Sequence, residues 1–275
     1  MSQVLSDYSL SCRLERTEAQ ANAAFVEAHA RLDSSSGAQW IEVAGAYAMY
    51  DGPHSPCTQT FGLGLLELPT QDQMRRIEDF FQERRALVYH EISPLARKEL
   101  WPMLHQRGYR PLEFTSVMYL PLPAGRQVEA ARPGLEVRVA GEHERELWAR
   151  TAAEGWREFT EFAGVMRDLL QVSAARSGGV LFLVESQRQA IASAALSIHD
   201  GVALFAGAST LPEWRRRGAQ QLLLDYRLQR AAEAGCDLAM MCAEPGSASQ
   251  RNAERRGFRI AYTRIKWVRE ASQNL

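Results

Sequence analysis

The stretch GASTLPEWRRRGAQQLLLDYRLQRAAEA, residues 207–234, decides how the second half of the chain folds. An apolar run, VALFAGAST, begins at residue 202 and ends shortly before Pro212. After the basic turn that follows, the apolar residues recur every three or four positions. This order predicts a strand, a loop and a helix. The first N–H groups of a helix lack partners and the helix dipole is positive there, so the loop can bind an anion. Arg215–Arg217 add three positive charges, and Gly218 lets the backbone approach a ligand closely.

Taken alone, three consecutive arginines followed by a glycine are more typical of a solvated surface and a turn, so their position between a strand and a helix is what favours a site. Arg215 and Gly218 resemble the acetyl-CoA signature Q/R-x-x-G-x-G/A of the GCN5-related N-acetyltransferases (GNAT). Gln220 departs from that signature, since the family prefers Gly or Ala at its last position. The resemblance implies that acetyl-CoA is the cosubstrate of this chain.

Length and composition indicate a globular protein of two domains. The chain has 275 residues, of which 46% are hydrophobic and 24% charged, and its net charge is −1. This charge predicts no general attraction to nucleic acid or to an anionic membrane. No apolar run reaches the roughly 18–20 residues of a membrane span, and the amino-terminal sequence lacks the pattern of a secretion signal. We therefore expect a cytoplasmic protein with reduced cysteines.

A segment rich in proline, glycine and charge, residues 123–134, has the composition of a linker. It separates an expected domain over 1–122 from one over 135–275. In the first, residues 14–32 favour a helix, and Thr70 is the expected N-cap of the next one. Pro94–Gly108 and the strands around it share their order with Pro245–Gly257, about 150 residues further on. This order favours an internal duplication, although a helix followed by a strand is common by chance.

The resemblance implies an α/β (α+β) fold of two tandem GNAT-like domains, each a mixed twisted sheet flanked by helices. The second domain follows the family's order of elements over 135–270, and the first resembles a degenerate copy. Pro69 stands where Pro212 stands, but the segment after it lacks a glycine and contains Asp72. We therefore expect one coenzyme site, in the second domain, with the first as a scaffold or a wall of the acceptor cleft.

The family fold separates its fourth and fifth strands to admit the pantetheine arm, and here these strands are VALFAGAST and DLAMMCAEP. The resemblance implies that Ser209, Thr210 and Leu211 offer main-chain groups to the pantetheine and the thioester. The residues expected to bind the coenzyme are Ser209, Thr210, Leu211, Arg215, Arg216, Arg217, Gly218, Ala219, Gln220, Ser249 and Asn252. We expect no metal, because His54 and Cys57 alone make a poor site.

The implied reaction is direct attack of an amine on the thioester, for which a base and an acid are needed. The family's tyrosine acid falls on Ala253, and Tyr262 is more typical of a half-buried strand residue. Glu154, Glu158 and Glu161 are candidate bases or simply solvated residues, so the catalytic residues stay unassigned. The aromatic residues Trp156, Phe159 and Phe162 line an acceptor pocket or belong to the core.

The acceptor predicted by the resemblance is a small-molecule or peptide amine, with no nucleic acid or membrane partner. Two other functions stay open. One is a non-catalytic protein that binds or senses acyl-CoA, since Ala253 is no acid. The other is binding of a different phosphate, such as a nucleotide or RNA. The oligomeric state is not predicted.

Overall fold

The computed structural model describes residues 4–123, 132–158 and 163–269, and the chain divides into two compact units. The first unit comprises Met1–Tyr119 and Cys242–Leu275, and the second comprises Leu120–Met241. The carboxy-terminal segment from Cys242 onward therefore belongs to the first unit, whereas the sequence predicted a second domain over 135–275. Most of the predicted linker lies outside the described residues.

Both units contain helices and strands. The helices are α1 Tyr8–Leu32, α2 Gln71–Gln82, α3 Leu100–Gln106, α4 Arg145–Glu154, α5 Ala163–Ala174, α6 Ala219–Glu233 and α7 Ala248–Glu254. The strands are β1 Gln39–Val43, β2 Ala46–Tyr50, β3 Gln59–Phe61, β4 Val88–Ile92, β5 Arg110–Pro121, β6 Glu136–Val139, β7 Gly179–Ser186, β8 Gln189–His199, β9 Val202–Thr210, β10 Leu238–Ala243 and β11 Arg259–Arg269.

The sheet of the first unit has the strand order β1-β2-β3-β4-β11-β5. Strands β3 and β4 are parallel, and the other neighbours are antiparallel. The last strand of the chain, β11, is inserted between β4 and β5, so that Trp267 lies opposite both His90 and Pro111. The sequence predicted β11 as a strand but assigned it to the second domain.

One face of the first unit's sheet packs on α1 and contains a buried ionic cluster. The guanidinium of Arg264 is 2.9 Å from Glu91, 2.7 Å from Glu18 and 3.4 Å from Glu15. Tyr262 donates to Glu15 at 2.9 Å. Because buried charges are stable only when paired, this cluster joins α1 to β4 and β11.

The sheet of the second unit has the order β6-β7-β8-β9-β10, in which only β9 and β10 are parallel. Helices α4 and α5 cover one face, where Trp148 packs with Leu181, Leu183 and Ala195. Helix α6 covers the other face, where Tyr226 meets Phe182 edge to face. The apolar spacing that predicted α6 thus corresponds to the side of the helix that faces the sheet.

The duplicated segments have matching elements. Strand β4, helix α3 and strand β5 in the first half correspond to β10, α7 and β11 in the second. Both short helices have seven residues, and Gly108 and Gly257 follow them with positive φ angles of 78° and 90°. The predicted α/β fold of mixed sheets flanked by helices is confirmed. In the described parts of the chain no helix is long and apolar enough to cross a membrane.

Candidate functional site

The loop between β9 and α6 leaves the amino terminus of α6 without a side-chain cap. A 3₁₀ turn at Pro212–Trp214 follows β9, and α6 then begins at Ala219. The N-cap residue, Gly218, has a left-handed φ of 89° and makes no side-chain cap bond. A residue with a Cβ is strained in this conformation. The first-turn N–H groups therefore face the loop with no capping oxygen supplied by their own N-cap residue, which suits an anion.

The corresponding helix of the first unit is capped internally. At α2 the hydroxyl of Thr70 accepts from the Gln73 N–H at 3.2 Å, and the Gln73 side chain accepts from the Thr70 N–H at 2.8 Å. This reciprocal capping box occupies groups that an anion would need. Thr70 is thus the N-cap that the sequence predicted, and the two equivalent helix termini differ in their capacity for a phosphate.

The three arginines of the loop have different surroundings. Arg215 donates to the main-chain oxygen of Gly155 at 2.9 Å and to that of Thr210 at 3.4 Å, and it pairs with Glu158. Arg217 stacks over the ring of Trp214, 4.6 Å from its centre. Arg216 is exposed and has a positive φ of 62°. All three are exposed, but Arg215 joins the end of α4 to β9, whereas Arg216 and Arg217 lie beside the helix terminus.

The first turn of α6 is bonded to the end of β9 through a side chain. Gln220 donates from Nε2 to the main-chain oxygen of Ser209 at 2.8 Å and to the hydroxyl of Thr210 at 2.7 Å. Ala219 is buried in the core. The residue that departs from the family signature thus connects the helix to the strand, and its own main-chain N–H remains part of the helix terminus.

The end of β9 holds the residues expected to meet the pantetheine. The Ser209 hydroxyl contacts that of Ser193 at 3.1 Å and donates to the oxygen of Ala152 at 3.1 Å. Leu211 donates its N–H to Ile191 at 2.9 Å and accepts from Trp214 at 2.9 Å. Both main-chain polar groups of Leu211 are therefore engaged inside the unit.

Strand β9 contains a β-bulge. Ser209 lies opposite Ser193 and Ala206 opposite Ala195, so that Gly207 and Ala208 face the single residue Ala194. Gly207 has a positive φ of 60°. A bulge disrupts the ladder locally and redirects main-chain groups, and it is common beside active sites. The sequence shows that this strand contains consecutive small residues, but their spacing does not predict a bulge.

The parallel pair of β9 and β10 is short. Its register covers three residue pairs, from Val202 opposite Leu238 to Leu204 opposite Met240. Strand β9 continues for six further residues, through the bulge, to Thr210. The stretch of β9 beyond this pairing is where the resemblance implied that the two strands separate.

The carboxy-terminal end of α4 lies directly against β9. A Cβ on Gly155 would come within 2.6 Å of the Cβ of Ser209, so only glycine fits there. In the same region Glu154 and Glu213 both form ion pairs with Arg157. Trp156 is 40% exposed. Of the other candidates, Glu161, Phe159 and Phe162 lie outside the described residues.

The remaining predicted residues belong to the first unit. Ser249 and Asn252 lie on α7, and Asn252 accepts from Arg255 at 3.1 Å. Ala253 and Tyr262 are buried. The coenzyme role of Ser249 and Asn252 therefore stays a prediction. Within the described ranges no three His, Cys, Asp or Glu side chains are grouped to hold a metal.

Sequence reasoning missed two buried residues that contact the bulge, Trp148 and Arg227. Trp148 donates to the oxygen of Ala194 at 3.0 Å, and Arg227 reaches the oxygens of Ala195 at 3.3 Å and Ala206 at 3.5 Å. One available signal was that Arg227 interrupts the apolar side of α6.

Comparison with known proteins agrees with this geometry. Residues 124–244 match the family model of the acetyltransferase (GNAT) domain, which nearly coincides with the second unit. No curated protein is similar enough in sequence to count as a relative.

Several solved structures share the fold over most of the chain. A GCN5-related N-acetyltransferase from Kribbella flavida is 18% identical with a TM-score of 0.64, over 93% of this chain and 96% of that one. One from Sphaerobacter thermophilus is 20% identical with a TM-score of 0.51, over 82% and 76%. A tandem GNAT protein of the clavulanic acid biosynthesis pathway is 12% identical with a TM-score of 0.58, over 82% and 74%. Residues 124–244 thus match the acetyltransferase (GNAT) domain family, and the chain shares its fold with these solved structures.

Proposed function

We propose that this chain is an N-acetyltransferase that transfers the acetyl group of acetyl-CoA to a primary amine of a small molecule or peptide. The observation that carries the proposal is the uncapped amino terminus of α6, with Gly218 in the left-handed conformation and Arg216 and Arg217 beside it. A diphosphate satisfies such N–H groups and benefits from the helix dipole. Nucleic acid and membrane are not proposed as partners, because the net charge is −1 and the positive charge is local.

Different groups of the chain would bind different parts of the coenzyme. The main-chain N–H groups of Gly218–Gln221 would take the diphosphate, and the charges of Arg216 and Arg217 would add attraction that depends on salt. The end of β9 would take the pantetheine arm. The resemblance adds Ser249 and Asn252 on α7 to this set.

The reaction is an acyl transfer in one chemical sequence. The amine nitrogen attacks the thioester carbon, a C–N bond forms, the C–S bond breaks and coenzyme A leaves as a thiolate that takes up a proton. The proton lost by the amine passes to a base. Main-chain N–H groups near the carbonyl oxygen would stabilise the negative charge that develops on it, and holding both reactants together would lower the entropic cost.

The proposal is tested with the full chain, acetyl-CoA and a panel of primary amines. We expect release of the coenzyme A thiol together with an acetylated amine identified by mass spectrometry. The matched control is Gly218→Asp, which should give neither product because a carboxylate would stand in the phosphate site. Absence of coenzyme A binding by calorimetry would overturn the proposal.

A second candidate is a non-catalytic protein that binds or senses acyl-CoA. It is favoured by Ala253, a buried alanine where the family has an acid, and by the ion pair that engages Glu158 with Arg215. Binding of acetyl-CoA without thiol release over a broad panel of amines would support this candidate. Turnover with any amine would exclude it.

We also propose a cytoplasmic location, which is where free thiols persist. Cys12, Cys236 and Cys242 form no disulfide among the described residues, and reducing compartments keep cysteines in that state. Cell fractionation with an antibody against the chain tests this location. Recovery with secreted or envelope proteins would contradict it.

A further inference from the structure

Two buried side chains hold the bulge of β9 from opposite faces of the second unit's sheet. We propose that Trp148 and Arg227 are positioning residues that fix this bulge and so aim the main-chain N–H groups of Gly207–Ser209 at the acyl group. The inference rests on the proposed function, which places the thioester along this part of β9. Neither residue needs to touch the substrate.

Trp148 holds the bulge from the side of α4. Its ring is fully buried, and its Nε1–H donates to the oxygen of Ala194, the residue that faces the two bulged residues. A Cβ on Gly207 would lie 3.4 Å from the same ring. The indole therefore donates a hydrogen bond to β8 at Ala194 and packs against β9 at Gly207. These two contacts favour the bulge over regular antiparallel pairing of the two strands.

Arg227 holds the bulge from the side of α6. Its Nη1 lies 3.3 Å from the oxygen of Ala195 and 3.5 Å from that of Ala206, the pair that borders the bulge. Its Nε lies 3.3 Å from the oxygen of Leu223, and its guanidinium stacks over Phe205 at 4.8 Å. A planar guanidinium can bond several oxygens at once in a fixed geometry, as this position requires.

The burial of Arg227 is costly in free energy. It is only 4% exposed, and no carboxylate of the described residues forms an ion pair with it. Desolvation lowers the pKa of Arg227 to about 9, so it is still charged at neutral pH. An apolar residue at this position would avoid this cost.

Carbonyl oxygens offset part of the cost, and an anionic ligand would offset more. A buried positive charge acts through a low local dielectric, so it favours negative charge that develops nearby. The acyl oxygen gains such charge when the amine attacks. Arg227 is thus suited both to keep the bulge in shape and to favour the transition state over the ground state.

The test compares Arg227→Met, Trp148→Phe and the control Thr151→Val in the full chain. Trp148→Phe keeps a ring but removes the N–H donor. Thr151 lies one turn from Trp148 and is buried, and its hydroxyl, which the variant removes, donates to the Leu147 oxygen of the same helix. We expect both positioning variants to lower kcat about tenfold or more, with the KM for acetyl-CoA within about twofold. Thr151→Val should keep kcat, and Arg227→Lys, which keeps the charge, should recover part of it.

Amide hydrogen exchange gives a readout that does not need turnover. We expect faster exchange at Gly207–Ser209 in Arg227→Met and Trp148→Phe, and unchanged exchange in Thr151→Val. If Arg227→Met does not fold, Trp148→Phe decides alone. Retention of the wild-type kcat by a folded positioning variant, or an equal loss in Thr151→Val, overturns the inference. If the wild type acetylates no amine, the proposed function fails separately, and unchanged exchange at the three amides still overturns the inference.

Discussion

The side-chain amide of Gln220 donates to the main-chain oxygen of Ser209 at 2.8 Å, and so joins the first turn of α6 to the end of strand β9. Removing it in Gln220→Ala should lower the free energy of unfolding by about 1–3 kcal/mol, because the hydrogen bonds to Ser209 and Thr210 are both lost. The affinity for coenzyme A should stay within about threefold, since the main-chain N–H of residue 220 remains. Thermal denaturation and calorimetry measure the two effects. A tenfold loss of affinity with unchanged stability would instead place this amide in the phosphate site.

Gly218→Asp should abolish coenzyme A binding, because it adds a Cβ at a φ of 89° and a negative charge at the helix terminus. Gly218→Ala separates the two effects: it adds only the strain, about 1 kcal/mol, and should weaken binding by less than tenfold. Calorimetry with coenzyme A measures both. The control Gln73→Asp, at the capped terminus of α2, should bind as the wild type does. Unchanged affinity in Gly218→Asp would show that the phosphate site lies elsewhere.

Replacing Arg217 and replacing Arg215 should have different effects on how the affinity for coenzyme A depends on salt. Arg217→Ala should weaken coenzyme A binding about threefold to tenfold at low ionic strength, and the deficit should shrink in high salt, because exposed charges are screened. Arg215→Ala should chiefly lower thermal stability, since Arg215 bonds Gly155 and Thr210 within the unit. Titrations at two salt concentrations test this contrast. A salt-dependent loss of affinity in Arg215→Ala equal to that in Arg217→Ala would contradict it.

Glu15 should make the first unit less stable as the pH rises. Burial, reinforced by Glu18, outweighs Arg264 and raises the pKa of Glu15 from 4.5 to about 7. The folded state therefore binds a proton that the unfolded state has lost between these values, and stability falls by about 1.4 kcal/mol per pH unit over this window. Below pH 4.5 the contribution is fully present, and by about pH 7 it is lost.

Glu15→Gln should remove this dependence, because glutamine stays neutral and can still accept from Tyr262. Urea denaturation between pH 4.5 and 8 measures the difference from the wild type, which should move in favour of the variant as the pH rises. Glu67→Gln, at an exposed carboxylate of the same unit, is the control. A difference that is flat with pH would show that Glu15 is ionised throughout.

Local pattern predicted the loop, the helix and the strands of the candidate site well. The proline, the glycine and the change of apolar spacing around Gly218 are short-range signals, and the structure has the strand, turn and helix that they predicted. The roles inside the loop could not be predicted, since Arg215, Arg216 and Arg217 are identical in type. Only their distances to Gly155, Thr210 and Trp214 distinguish them.

The pairing of strands that are distant in the chain could not be predicted from the sequence. Strand β11 was predicted as a strand from its alternation, but alternation does not say which neighbours a strand takes. The bulge at Gly207 depends on the register between β8 and β9 and on two side chains, Trp148 and Arg227, that come from different helices. Such contacts join residues far apart in the chain, and no local spacing encodes them.

The position of β11 between β4 and β5 has a consequence for biosynthesis. When residues 1–258 have been translated, all the other strands of the first unit's sheet have been synthesised, but β4 and β5 still lack β11, the strand that pairs with both. The first unit is therefore completed only after the second unit has been translated. Until β11 emerges, the edge of β4 is open to strands of other nascent chains, which makes this interval the one in which chaperones matter most.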